Sequence, residues 1–125
     1  KHELEPHHFT RNTDVLMELK EQLPLKSMVT VKWYRDWQQM SRTIRNPELK
    51  FPDIPVLLMT GENDKVSDIS TSKKWITEHT LSEFHYKQWK GCLHSLYFEV
   101  EREDVFKFTI DYINNVLRDL GYIIE

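Results

Sequence analysis

Residues 54–64 read Ile54-Pro55-Val56-Leu57-Leu58-Met59-Thr60-Gly61-Glu62-Asn63-Asp64. Val56–Thr60 is an apolar run closed by Pro55 on one side and Gly61 on the other, which suits a strand covered on both faces in a parallel sheet. The glycine opens a tight turn that presents a carboxylate, Asp64. Thirty residues further on stands the histidine of Gly91-Cys92-Leu93-His94-Ser95-Leu96. This loop follows Phe84–Trp89, whose alternation predicts a second strand, and it presents an imidazole. An acid and a histidine at the ends of successive parallel strands are two members of a nucleophile–His–acid triad. The third is absent, since no Gly-x-Ser-x-Gly elbow occurs in the sequence.

Working outward, a helix is expected between the strands, from about Thr71 to His79, with Trp75 and Ile76 inward. A longer one is expected at the C-terminus, where Phe106, Ile110, Ile113, Leu117 and Leu120 recur at helical spacing and Gly121 supplies a C-cap. Glu101, Glu103 and Asp104 stand near its start, where the helix dipole favours negative charge. Strand, helix, strand, helix is the order of a parallel α/β sheet. Two strands make no stable sheet alone, so further strands are expected from elsewhere. Upstream, residues 1–12 show no period and read as an irregular lead-in. Thr13 or Asp14 is placed as N-cap of a helix running to Leu23 and stopped by Pro24. A second helix is placed from about Met28 to Ile44, with Val29, Trp33, Trp37, Met40 and Ile44 as one apolar stripe. Residues 46–55, with three prolines, read as a linker. The division expected is a helical segment over residues 1–50 and the strand–helix–strand–helix unit over 51–125.

A chain of 125 residues with 39% hydrophobic and 30% charged residues has the composition of a soluble globular domain or part of one. Its net charge of −3 argues against nucleic-acid binding and for at most peripheral membrane contact. The single cysteine, Cys92, allows no internal disulfide and favours a reducing, cytoplasmic setting. No apolar run is long enough to span a membrane and no signal peptide is visible.

Residues 54–68 and 91–105 carry a resemblance. The first segment resembles the strand-plus-acid segment of the α/β-hydrolase superfamily, and most of all that of its monoacylglycerol lipases and lysophospholipases. There the triad acid follows three residues after a glycine, as Asp64 follows Gly61, and a further acid often follows four residues on, as Asp68 does. Gly91 and His94 match the same family's Gly-x-x-His loop, and Glu101-Arg102-Glu103 matches the start of its terminal helix. Phe9-Thr10-Arg11 and Met28–Trp33 resemble its cap more weakly. Met59 departs from relatives that carry His or Gln there. The larger departure is the missing serine, which in the family lies upstream with the oxyanion loop. The resemblance therefore implies the C-terminal part of an α/β-hydrolase: a helical cap, the last core strands and the terminal helix. It implies Asp64 and His94 as catalytic residues, with the serine on an N-terminal part from the same gene or a second chain. It implies a small lipid or other ester as substrate, and no metal or organic cofactor. Trp33, Trp37 and Leu93 are the candidate substrate-binding residues. Peptidases, thioesterases and dehalogenases share this acid and histidine arrangement.

Plainer readings stand beside these. Asp64 is good turn chemistry on its own, and His94 alone reads equally as a structural histidine. Asp68 reads as a helix cap or a hydrogen-bond partner. Cys92 reads as a small buried apolar group rather than a nucleophile. His2, His7 and His8 with Glu3 and Glu5 fit no usual zinc spacing. The Trp33/Trp37 stripe is first a packing face. A non-catalytic hydrolase half used for binding or assembly is the alternative function.

Overall fold

The computed structural model describes residues 4–22, 29–46, 48–79 and 81–122. Predicted features at His2, Leu23, Pro24, Met28 and Pro47 lie outside them. Six principal elements follow one another: α1 (Thr13–Gln22), α2 (Val31–Ile44), β1 (Val56–Gly61), α3 (Ile69–Glu78), β2 (Phe84–Trp89) and α4 (Arg102–Asp119). Short 3₁₀ turns occupy Pro6–His8 and Leu96–Phe98.

β1 and β2 pair in parallel, with Val56 opposite Phe84 and Gly61 opposite Trp89. Parallel pairing needs a crossover, which α3 provides. Both strands end level, so the turn after Gly61 and the loop after Trp89 leave from the same end of the sheet.

The helix starts follow side-chain chemistry. Asp68 caps α3, accepting from the N–H groups of Ser70 and Thr71 at 3.0 and 3.3 Å. The Ser70 and Thr71 hydroxyls also donate to it and hold its carboxyl down to about 2, so the cap is ionised at neutral pH. Asp68 is thus a helix cap, as its plainer reading proposed, and α3 begins two residues before the predicted start. Thr30 caps α2 by accepting from the Trp33 N–H at 3.1 Å. For α1 the cap is Asn12, not Thr13 or Asp14: its side-chain carbonyl accepts from the Asp14 and Val15 N–H groups at 3.1 and 3.4 Å. Gly121 ends α4 with φ of 86°, the left-handed geometry glycine adopts without strain. Its N–H reaches the Arg118 carbonyl and that of Tyr122 the Leu117 carbonyl, which closes a Schellman motif.

The core lies between α4 and the sheet. Cys92, Leu96 and Val105 are buried together, with Met59 and Trp89 packed against them. Apolar surface is left open at three places among the described residues. The α4 stripe that identified the helix is largely outward: Phe106, Ile110, Ile113 and Leu120 are exposed, while Val105, Thr109 and Tyr112 turn toward the strands. The α2 stripe is exposed too, with Trp33 53% and Trp37 45% accessible. Nor is β1 covered on both faces along its length, since only Thr60 and Gly61 are buried. The physical reason is shared. Both helices and β1 present apolar surface on more sides than the described residues cover, so periodicity finds the helix without saying which face meets which neighbour. α2 is tied to α3 mainly by one end, where the Trp75 indole donates to the Ile44 carbonyl at 2.8 Å.

The irregular lead-in is anchored to the rest of the fold. Thr10 is buried, and residues 9–11 are stitched to the loop after β2, as described below.

Candidate active site

Asp64 lies in the turn that leaves β1. Its Oδ1 accepts from the Val66 and Ser67 N–H groups at 2.8 and 3.1 Å, an Asx-type turn that fixes the carboxylate plane. Its Oδ2 then faces His94 Nδ1 at 3.0 Å. The Asp64 side chain is 5% exposed and that of His94 35%. Burial pushes the Asp64 carboxyl up, but the hydrogen bonds from His94, Ser67 and Val66 together outweigh it, and the net effect is downward. The group is therefore an ionised acceptor. An ionised carboxylate only accepts, so Nδ1–H donates to it and Nε2 is the ring nitrogen outside the pair. Ser67 Oγ lies 3.1 Å from the same Nδ1 and serves as a second acceptor for that proton. Nε2 makes no hydrogen bond with any described residue.

The two loops are sewn together by main chain. Glu62 N–H donates to the Trp89 carbonyl and Asn63 N–H to the Cys92 carbonyl, both at 2.9 Å. The Gly91 N–H returns a bond to Glu62 Oε2 at 2.8 Å. Gly91 has φ of 72°, which turns the chain back over the end of the strands. Gly61 permits the crossing: a Cβ there would stand 2.1 Å from the Leu93 carbonyl oxygen and 2.4 Å from that of Cys92.

A second set of contacts holds the histidine loop from the N-terminal side. The Ser95 N–H donates to the Phe9 carbonyl at 2.8 Å, and the Phe9 ring meets the imidazole edge-on at 5.7 Å. Thr10 Oγ1 donates to the Phe98 carbonyl at 2.7 Å. Glu99, fully buried, joins Arg11 to Leu93. Glu101 leaves the α4 terminus uncapped by its side chain and pairs with Arg11 instead. That bond keeps the Glu101 carboxyl below its usual range. Sequence reasoning missed Glu99 and Ser67. The separation of 88 positions between Arg11 and Glu99 leaves no local signal of their pairing.

Cys92 is buried, and burial, with Glu101 beside it, raises its thiol to about 11, so it is a neutral thiol at physiological pH. His8 Nδ1 accepts from the Glu5 N–H and His7 faces Glu5, and among the described residues no three His, Cys, Asp or Glu side chains gather as metal ligands. A groove of about 640 Å³ runs beside the histidine loop, walled by Phe9, Val15, Leu19 and Phe98. Trp33, Trp37 and Leu93 do not line it. Trp33 and Trp37 stand exposed on α2, and Leu93 contributes its N–H to Glu99 and its carbonyl to the crossing above Gly61. Among the described residues no helix is long and apolar enough to cross a membrane.

Comparison with known proteins agrees with this architecture. The chain is 33% identical over 108 residues to phospholipase YtpA of Bacillus subtilis, covering 83% of this chain and 42% of that protein. It thus spans about two fifths of the length of this curated relative. The fold matches a soluble variant of monoglyceride lipase from Saccharomyces cerevisiae, crystallised with a substrate analogue, at a TM-score of 0.74 and 19% identity, over 91% of this chain and 42% of that one. It matches Paleococcus ferrophilus monoacylglycerol lipase at 0.73 and 19%, over 90% of this chain and 44% of that one. These likenesses show the α/β-hydrolase fold. Residues 1–101 match the family described as Serine aminopeptidase, S33; on that match and the YtpA identity, the chain belongs to this family of α/β-hydrolases.

Proposed function

We propose that this chain supplies the base and the acid of a serine hydrolase that cleaves single-chain carboxylic esters, of the monoacylglycerol or lysophospholipid type. The observation that carries the proposal is the 3.0 Å contact of Asp64 Oδ2 with His94 Nδ1 at the shared end of two parallel strands. The serine comes from an N-terminal part of the hydrolase. The apolar faces of α2 and α4 and the edge of β1 that the described residues leave uncovered are the surfaces that this part covers. Residues 1–50 form cap and 51–125 core, with Trp33, Trp37 and Leu93 meeting the acyl chain once the whole is assembled.

In the proposed reaction His94 Nε2 takes the serine hydroxyl proton as the oxygen attacks the ester carbonyl. Asp64 holds Nδ1–H and stabilises the imidazolium that results. Collapse of the tetrahedral intermediate breaks the ester C–O bond, and Nε2–H protonates the departing alcohol. The acyl-serine is then hydrolysed by water activated at the same nitrogen.

Support for lipid esters comes from the phospholipase relative. The family description, which names aminopeptidases, favours a second reading in which the same pair cleaves an N-terminal amide. A substrate panel separates the two. The complete enzyme is expected to turn over monoacylglycerol and lysophospholipid with far higher kcat/KM than aminoacyl anilides. The reverse order contradicts the ester assignment while leaving the catalytic pair in place. Hydrolysis of none of them favours the alternative of a binding or assembly module.

A further inference from the structure

We propose that Glu99 is a positioning residue for His94; the inference rests on the catalytic reading above. Its carboxylate is fully buried and meets only donors. Oε1 accepts the Leu93 N–H at 2.7 Å. Oε2 accepts both the Arg11 main-chain N–H and Arg11 Nε–H at 3.2 Å. A buried carboxylate is costly unless paired and fully hydrogen-bonded, and here three N–H groups, one of them from the Arg11 guanidinium, meet that need.

The consequence for His94 is geometric. The residue before it is held by Glu99, and the residue after it donates to the Phe9 carbonyl at 2.8 Å. Both anchors lead to the irregular stretch 9–11, because Arg11 is the other partner of Glu99. Asp64 sets the rotation of the imidazole, while this clamp sets where its backbone stands. Phe9 packs edge-on against the ring from the same stretch, so a shift of residues 9–11 moves the backbone anchor and the ring wall together. Arg11 extends the clamp through its second ion pair, with Glu101. Glu99→Gln keeps shape but replaces one acceptor by an NH₂ donor, which then faces either the Leu93 N–H or the two Arg11 donors. One side of the clamp must open.

The test uses the complete enzyme, with His94→Ala and Asp64→Asn as references. Glu99→Gln is expected to lower kcat about 10²-fold, with KM little changed, as for a base displaced by ~1 Å. The proton NMR signal of the His94 imidazole N–H shared with Asp64 is expected to shift or broaden. A folded Glu99→Gln with unaltered kcat and an unaltered imidazole signal overturns the proposal, even if its melting temperature falls. If Glu99→Gln does not fold, Arg11→Lys decides. It retains the charge and main-chain N–H but not the planar fork, and the expected outcome is a smaller fall in kcat with the same spectral change; no change in either overturns the proposal. Should His94→Ala and Asp64→Asn both retain activity, the catalytic reading itself is wrong, a result distinct from failure of the clamp alone.

Discussion

Asp64→Asn is expected to lower kcat of the complete enzyme by about 10⁴, the loss seen when the orienting acid of a Ser-His-Asp site is amidated. The local geometry explains why so similar a side chain fails. The Val66 and Ser67 N–H groups both point at Oδ1. In an asparagine they select the carbonyl oxygen for that place and leave the NH₂ in the Oδ2 position, facing His94. A donor there forces Nδ1 to accept. The proton then sits on Nε2, and the nitrogen that must take the serine proton is already protonated. The charge that stabilises the imidazolium is lost as well. The fold is expected to persist, because the turn bonds survive. Steady-state kinetics beside a circular dichroism spectrum checks both halves, and near-normal turnover in the folded variant refutes the role of Asp64.

Gly61→Ala is expected to damage stability and activity together. Gly61 has no left-handed φ to protect; the constraint is space alone. The added methyl would lie 2.1 and 2.4 Å from two main-chain oxygens of the histidine loop, and main chain cannot rotate away as a side-chain tip does. Relief requires the loop to lift from β1, which loosens the Asn63–Cys92 bond and draws His94 off Asp64. Overpacking typically costs ~1–3 kcal/mol, and backbone contacts this close put the change at or above the upper end. A displacement of ~1 Å in the base costs about 10² in rate. Thermal melting and kcat measured on the same preparation test this; an alanine variant with unaltered values of both contradicts the described crossing.

The parts of this architecture that rest on neighbouring residues were legible in the sequence. The apolar run Val56–Thr60 with its glycine, the alternation of Phe84–Trp89 and the Schellman glycine of α4 each depend on local backbone chemistry, and each stands where expected to within a residue or two. Asp64 and His94 were legible because level parallel strands put their following turns side by side. Three things were not. Asn12 displaced Thr13 and Asp14 as cap because the choice turns on which side chain reaches the first free N–H groups. The exposure of the α2 and α4 stripes was not legible because apolar surface on several sides of an element does not say which side this chain covers. The Glu99–Arg11 link and the Ser67 hydroxyl at Nδ1 were missed because they come from tertiary placement. Nothing in Phe9-Thr10-Arg11 or in Phe98-Glu99-Val100 shows that one segment closes over the other.

Reaction of the complete enzyme with a fluorophosphonate, followed by mass mapping of the modified peptide, tests the His94–Asp64 relay most directly. The expected result is a single phosphonylated serine outside the 125 residues of this chain, with labelling lost in His94→Ala. Labelling that persists at full rate without the imidazole, or that falls on a serine within this chain such as Ser67, contradicts it.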